Sequence, residues 1–217
     1  MRRSLLLLLP MLWLTAGCAT RRDMPLDLTL FPTATVLPES QTPGRVAIRM
    51  QPAVQDLVHE GEDGPARRMR IPIGQIVTQA LLTSASEAFA GGAERLATSS
   101  AVDTRFVATL SVQSARASYH SHLLWFIPLG FLGAASDFEL DSQLALDISL
   151  LDAGGRVVWT RSYDDGPRIW HHEWFEMAVA PDGLMRMTHE AAWRISQRVM
   201  HDLREWAEVE RTRPRTL

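Results

Sequence analysis

Three groups of residues have side chains that could do chemistry: the lone Cys18, the run His171, His172 and Glu173, and the carboxylate pairs Asp141/Asp147 and Asp164/Asp165. Adjacent residues of an extended chain face opposite sides. The "HHE" run therefore cannot by itself close round one ion as a helical H-E-x-x-H does, and no metal is expected. Asp141 and Asp147 fit the polar face of a strand, and Asp164 and Asp165 fit a turn, so solubility and turn chemistry account for both pairs. The chain has no G-x-S-x-G and no glycine-rich phosphate loop. An active centre would require His120, His122, His171 and His172 to meet in one polar pocket. No enzyme activity is expected, with an envelope hydrolase as the alternative.

The cysteine has a more specific setting. "MRRSLLLLLPMLWLTAGC" starts with Arg2 and Arg3, continues in an apolar run from Leu5 to Leu14 and ends in small residues at Cys18. That order is a secretory signal peptide over residues 1–17. Its apolar run, about ten residues, is half of the roughly 20 needed to span a bilayer. "TAGC", Thr15 to Cys18, resembles the lipobox of bacterial lipoproteins, with Leu14 one position earlier than the leucine this family prefers. The resemblance implies that Cys18 is acylated and becomes the first mature residue. It also implies the periplasmic face of the outer membrane, because Ala19 rather than aspartate follows. Cys18 is the only cysteine, so no internal disulfide competes with that role. No cofactor beyond the covalent lipid is expected.

The elements behind these residues follow from period and punctuation. At 217 residues and 46% hydrophobic the chain suits one domain with a substantial core. Its 22 basic side chains are all arginine against 25 acidic ones, and no basic face points to nucleic acid. Residues 18–44 hold four prolines and no sustained period, which predicts a lipidated N-terminus with an extended tether. The domain, 45–210, is expected to open with a strand at Arg45–Met50. A helix follows, with Ile73, Ile76, Val77, Ala80, Leu81, Ser84 and Ala88 on one face and Gly91 and Gly92 behind it. Phe106, Ala108, Leu110 and Val112 alternate in a second strand. Phe138, Leu140, Leu144, Leu146, Ile148 and Leu150 alternate with Glu139, Asp141, Gln143 and Asp147 in a third, turning at "DAGG" into a fourth with Val157, Trp159 and Tyr163. A long C-terminal helix buries Leu184, Met187, Ala191, Ile195, Val199 and Leu203, with Asp182 as its N-cap. Segregated strands and helices predict an α+β fold: a mainly antiparallel sheet of about four strands with two amphipathic helices on one face.

This element order, with the "DAGGRVVW" hairpin, resembles a group of periplasmic lipoprotein domains that includes the TolB N-terminal domain, LpoB, PelC and CsgG. The resemblance implies an assembly, export or regulatory factor working through protein contacts. Two segments stand outside the elements. "HLLWFIPLGFLGAASDF", residues 122–138, carries Trp125, Phe126, Leu129, Phe131 and Leu132. It is too short and too broken by Pro128 for a spanning helix and lacks the alternation of a barrel strand. It is core, or an apolar patch that docks on a partner or enters the membrane interface. Residues 164–183 carry Trp170, Trp174 and Phe175, either capping the sheet or contacting a protein. The expected partners are the bilayer, through Cys18, and an envelope protein or a second copy.

Overall fold

The structure, a computed structural model, describes residues 22–31, 40–60, 69–98, 100, 105–124, 137–173 and 180–212. In chain order the strands are β1 (Arg22–Asp23), β2 (Val46–Met50), β3 (His59–Glu60), β4 (Met69–Ile71), β5 (Ala93–Leu96), β6 (Ala108–Leu124), β7 (Asp137–Asp152) and β8 (Val157–Glu173). The helices are α1 (Pro52–Gln55), α2 (Ile73–Ala88) and α3 (Ala180–Thr212), with a 3-10 turn at Leu28–Leu30. Among the described residues no helix is long and apolar enough to cross a membrane.

The main sheet has five strands in the order β5-β2-β6-β7-β8 and is mixed. This corrects the expectation of about four, mainly antiparallel strands. β2 runs parallel to both β5 and β6, and only β6, β7 and β8 form an antiparallel meander. The parallel part is built through α2, which carries the chain from β2 to β5. β5, Ala-Glu-Arg-Leu, is too short and too polar to show a period. A second sheet, β1-β4-β3, is made of strands of two or three residues.

One core joins the helices to the sheet. Leu144, Leu146, Ile148 and Leu150 of β7 are buried against the same cluster as Ile76, Ala80 and Leu81 of α2 and Ile195, Val199 and Leu203 of α3. Phe106, Ala108, Leu110 and Val112 are buried as their alternation requires, up to a β-bulge between Val112 and Ser114. The turn after β7 is closed by Asp152, whose side chain accepts from the backbone N–H groups of Gly154 and Arg156 at 2.9 and 3.0 Å. Gly155 takes the left-handed φ of 79° there. Val157, expected inside, is 63% exposed at this turn. α3 starts at Ala180, so Asp182 lies inside the helix rather than at its N-cap. Gly74 lets α1 and α2 meet: a Cβ there would stand 2.1 Å from the Val54 carbonyl oxygen.

Part of the stretch expected in the tether packs on the body. β1 pairs with β4, the Met24 N–H donates to the Arg70 carbonyl at 3.0 Å, and Met24 and Phe31 are buried. Phe31 lies 4.8 Å from the His189 ring and 6.5 Å from that of Trp193, both on α3. The apolar spacing of Met24, Leu26, Leu30 and Phe31 supplies the reason, since burying each stabilises the strap against the helix.

Candidate functional site

The three long strands end together. Leu124 pairs with Asp137, and Asp137 with Glu173, so residues 125–136 and 174–179 connect to the sheet at one end. The two segments singled out in the sequence thus start from neighbouring positions, a relationship the sequence did not reveal. Cys18, Trp125, Phe126, Leu129, Phe131, Leu132, Trp174 and Phe175 lie outside the described residues. Trp170 belongs to β8 and pairs with Leu140 through its backbone.

The base of this end is braced by a layer of polar contacts under the helices. Tyr119, on β6, is buried and shares a 2.7 Å hydrogen bond with the Thr188 hydroxyl of α3. Burial pushes its phenol well above the ordinary tyrosine range, so it stays a neutral hydrogen-bonding group. The His59 ring of β3 packs edge-on at 4.5 Å. His189, fully buried one residue after Thr188, makes a 2.7 Å hydrogen bond through Nδ1 with the Met185 carbonyl. Burial lowers its pKa from the usual value, which keeps the imidazole neutral, so Nδ1 carries the proton that is donated.

A second anchor lies further along β8. Asp165 is buried and takes hydrogen bonds from Arg194 Nε at 3.1 Å and Nη2 at 2.7 Å, with Arg168 at 3.5 Å. Burial raises its pKa, the guanidiniums of Arg194 and Arg168 lower it, and the net shift is downward. Next to it, Arg198 Nη2 donates to the Asp164 carbonyl at 2.6 Å. On the other face Asp147 accepts from Ser162 at 2.6 Å and from Ser114; these hydroxyls hold its pKa below the ordinary carboxylate value. Asp164 and Asp165 are therefore structural pieces of a strand rather than of a turn.

No arrangement of nucleophile, base and orienting group occurs among these contacts. An open cleft of about 340 Å³ beside α2 is lined by Gln55, Asp56, Gln75, Gln79 and Arg95, and a second of about 330 Å³ by Glu87, Gln197, His201 and Arg204.

No protein-family model and no curated protein sequence matches the chain. Several solved structures show likeness. A protein from Xanthomonas campestris is 10% identical over 88% of this chain and 98% of its own, with a TM-score of 0.48. An uncharacterized lipoprotein B from Nitrosomonas europaea is 15% identical, covering 84% and 96%, at 0.44. A minor lipoprotein from Acinetobacter baumannii is 9% identical, covering 74% and 92%, at 0.37. At such values none of their names passes to this protein.

Proposed function

We propose that the protein is a lipoprotein of the bacterial envelope, held by acylated Cys18 at the periplasmic face of the outer membrane. It acts without catalysis, as an accessory factor in assembly or export. The observation that carries this reading is the "TAGC" sequence closing a signal-peptide pattern at Cys18. The contact surface is the far end of the sheet, where Leu124, Asp137 and Glu173 stand side by side. The apolar sequence of 125–136 and the aromatic sequence at 174–175 start there, and aromatic side chains are common anchors of protein interfaces.

A second reading, contact of residues 125–136 with the bilayer, is favoured by the short leash. β1 begins at Arg22, and the four residues from Cys18 reach at most about 14 Å. From β1 the positions Asp23, Arg70 and Glu60 run side by side to β3, whose His59 touches Tyr119 of β6. The strand that follows the anchor is thus linked through His59 to β6 five residues before Leu124, which supports this reading.

The test has two parts. Cys18→Ser should yield a protein that no longer fractionates with the outer membrane in acylated form; acylation that survives the change rejects the anchor. Trp125→Asp and Phe131→Asp in the full chain should leave the melting temperature nearly unchanged while abolishing recovery of the partner by crosslinking in the envelope. Unfolding by either substitution assigns the segment to the core and rejects the contact surface.

A further inference from the structure

We propose that the strap of residues 22–31 is a proton-operated latch that sets how far the domain stands from its membrane anchor, with His189 of α3 as the trigger. Docked, the strap pins the chain at Arg22, and the four residues from Cys18 span at most about 14 Å. Once it is released, the next backbone pairing among the described residues is at Thr42, which bridges Phe89 and donates its N–H to the Ala88 carbonyl at 2.9 Å. The roughly 24 residues from Cys18 to Thr42 then extend to about 80 Å at most. The latch rests on the fold alone, whereas the reach also rests on the acylation of Cys18 proposed above.

The strap is lightly held. β1 pairs with β4 over two residues, the Met24 N–H meets the Arg70 carbonyl, the Asp23–Arg70 ion pair at 3.3 Å is open to solvent, and Met24 and Phe31 are its buried side chains. About ten residues are ordered for these few contacts, which keeps the docked and released states close in free energy. The ring that Phe31 covers is ionisable. His189 is fully buried with Phe31 at 4.8 Å, its Nδ1 engaged with the Met185 carbonyl at 2.7 Å, and its Nε2 without a hydrogen-bond partner among the described residues. A proton taken up at Nε2 puts charge where the docked strap excludes water, and release of the strap lets water reach it.

The groups around the ring do not reverse this. Burial lowers the imidazole pKa; the Met185 carbonyl and Asp27 of the strap favour the imidazolium, but by less. Asp27 is itself exposed and accepts from the Thr29 N–H and hydroxyl at 2.9 and 2.6 Å. Glu190, next on α3, is exposed and holds Arg194 at 3.3 Å, and Tyr119 of β6 is neutral and bonded to Thr188. His59 of β3, edge-on to Tyr119, is the other histidine of this cluster. Because the docked pKa is the lower one, docking is favoured in full above about pH 6.5 and weakens as pH falls below it.

Hydrogen exchange read by mass spectrometry on the full chain tests the latch, with labelling times scaled for the intrinsic pH dependence of amide exchange. From about pH 7.5 to about pH 5.5 the peptide 22–31 should lose protection by about tenfold relative to β7. In His189→Asn, whose side-chain amide replaces the Nδ1 donor without titrating, that fall should vanish, and His59→Gln should retain it. If His189→Asn does not fold, His189→Gln carries the same comparison. A strap whose protection tracks β7 at both pH values overturns the proposal, as does a fall that survives loss of the His189 imidazole or disappears in His59→Gln. For the reach, the acylated chain on a supported phosphatidylcholine bilayer should form a thicker protein layer at about pH 5.5 than at about pH 7.5 by neutron reflectometry, and a layer of constant thickness overturns control of the reach. Exchange decides the latch even in a chain that carries no lipid, so failure of the anchor and failure of the latch are told apart.

Discussion

Arg194 of α3 holds the buried carboxylate of Asp165 on β8 through two of its nitrogens, Nη2 at 2.7 Å and Nε at 3.1 Å, and so ties the long helix to the outer strand of the sheet. Because the folded pKa of Asp165 is depressed, the pair contributes stability above the ordinary carboxylate pKa and loses it as pH falls through the lower folded value.

Asp165→Asn should cost about 1–3 kcal/mol near neutral pH, since it weakens charge-assisted hydrogen bonds from arginines that are themselves partly exposed. It should also flatten the loss of stability on acidification from about pH 5 to about pH 3. Urea unfolding curves of both proteins across that range check this. Parallel curves would remove Asp165 from the acid response.

His189 adds a response at milder pH. Its buried imidazole titrates below the usual value, while in the unfolded chain it protonates near pH 6.5. Stability is then present in full above about pH 6.5 and lost as pH falls below it. Besides Phe31, the Asp27 carboxylate acts on the imidazole and partly offsets the loss. His189→Leu should lessen the decline between about pH 6.5 and pH 5, measured by thermal unfolding; an unchanged slope would contradict it.

On β7, Leu146 is 1% exposed in the core and Asp147 faces the other way. Leu146→Ala should cost about 2–5 kcal/mol as a cavity-forming truncation. Asp147→Ala should cost about 1 kcal/mol, because it also removes the carboxylate that accepts from Ser114 and Ser162. Equal shifts in denaturation midpoint would contradict the strand register.

Phe31→Ala should loosen the strap without unfolding the sheet. Limited proteolysis should cut within residues 22–45 several-fold faster, with the midpoint of global unfolding little moved. Unaltered cleavage would show that β1 and Met24 hold the strap by themselves.

The elements that were readable from the sequence are those with enough residues to display a period. α2 buries its predicted stripe and α3 buries its own except for Met187, which is partly buried, and β7 alternates over Leu144, Leu146, Ile148 and Leu150 as its sequence does. The "DAGG" hairpin is readable because the carboxylate of Asp152 and the left-handed Gly155 are local chemistry. β1, β3, β4 and β5 escape because two to four residues carry no period, and what defines them is pairing with distant strands. The mixed character of the sheet is hidden for the same reason: the direction of β2 against β6 depends on where the chain between them travels. The meeting of Leu124, Asp137 and Glu173 at one end of the sheet is a property of register, spread over about 50 residues of chain, and short-range spacing cannot reveal it.

Among the described residues β8 has a strand neighbour on one side only, along all 17 of its residues. A flank of that length could template the addition of further chains and the growth of filaments. Pro167 presents no N–H in it, and the guanidinium of Arg198 already occupies the Asp164 carbonyl at 2.6 Å. An incoming strand would have to displace that arginine midway along its path. Copies crowded on one surface could then lie flank to flank without fusing their sheets, a protection that α3 supplies through Arg198 and β8 through Pro167.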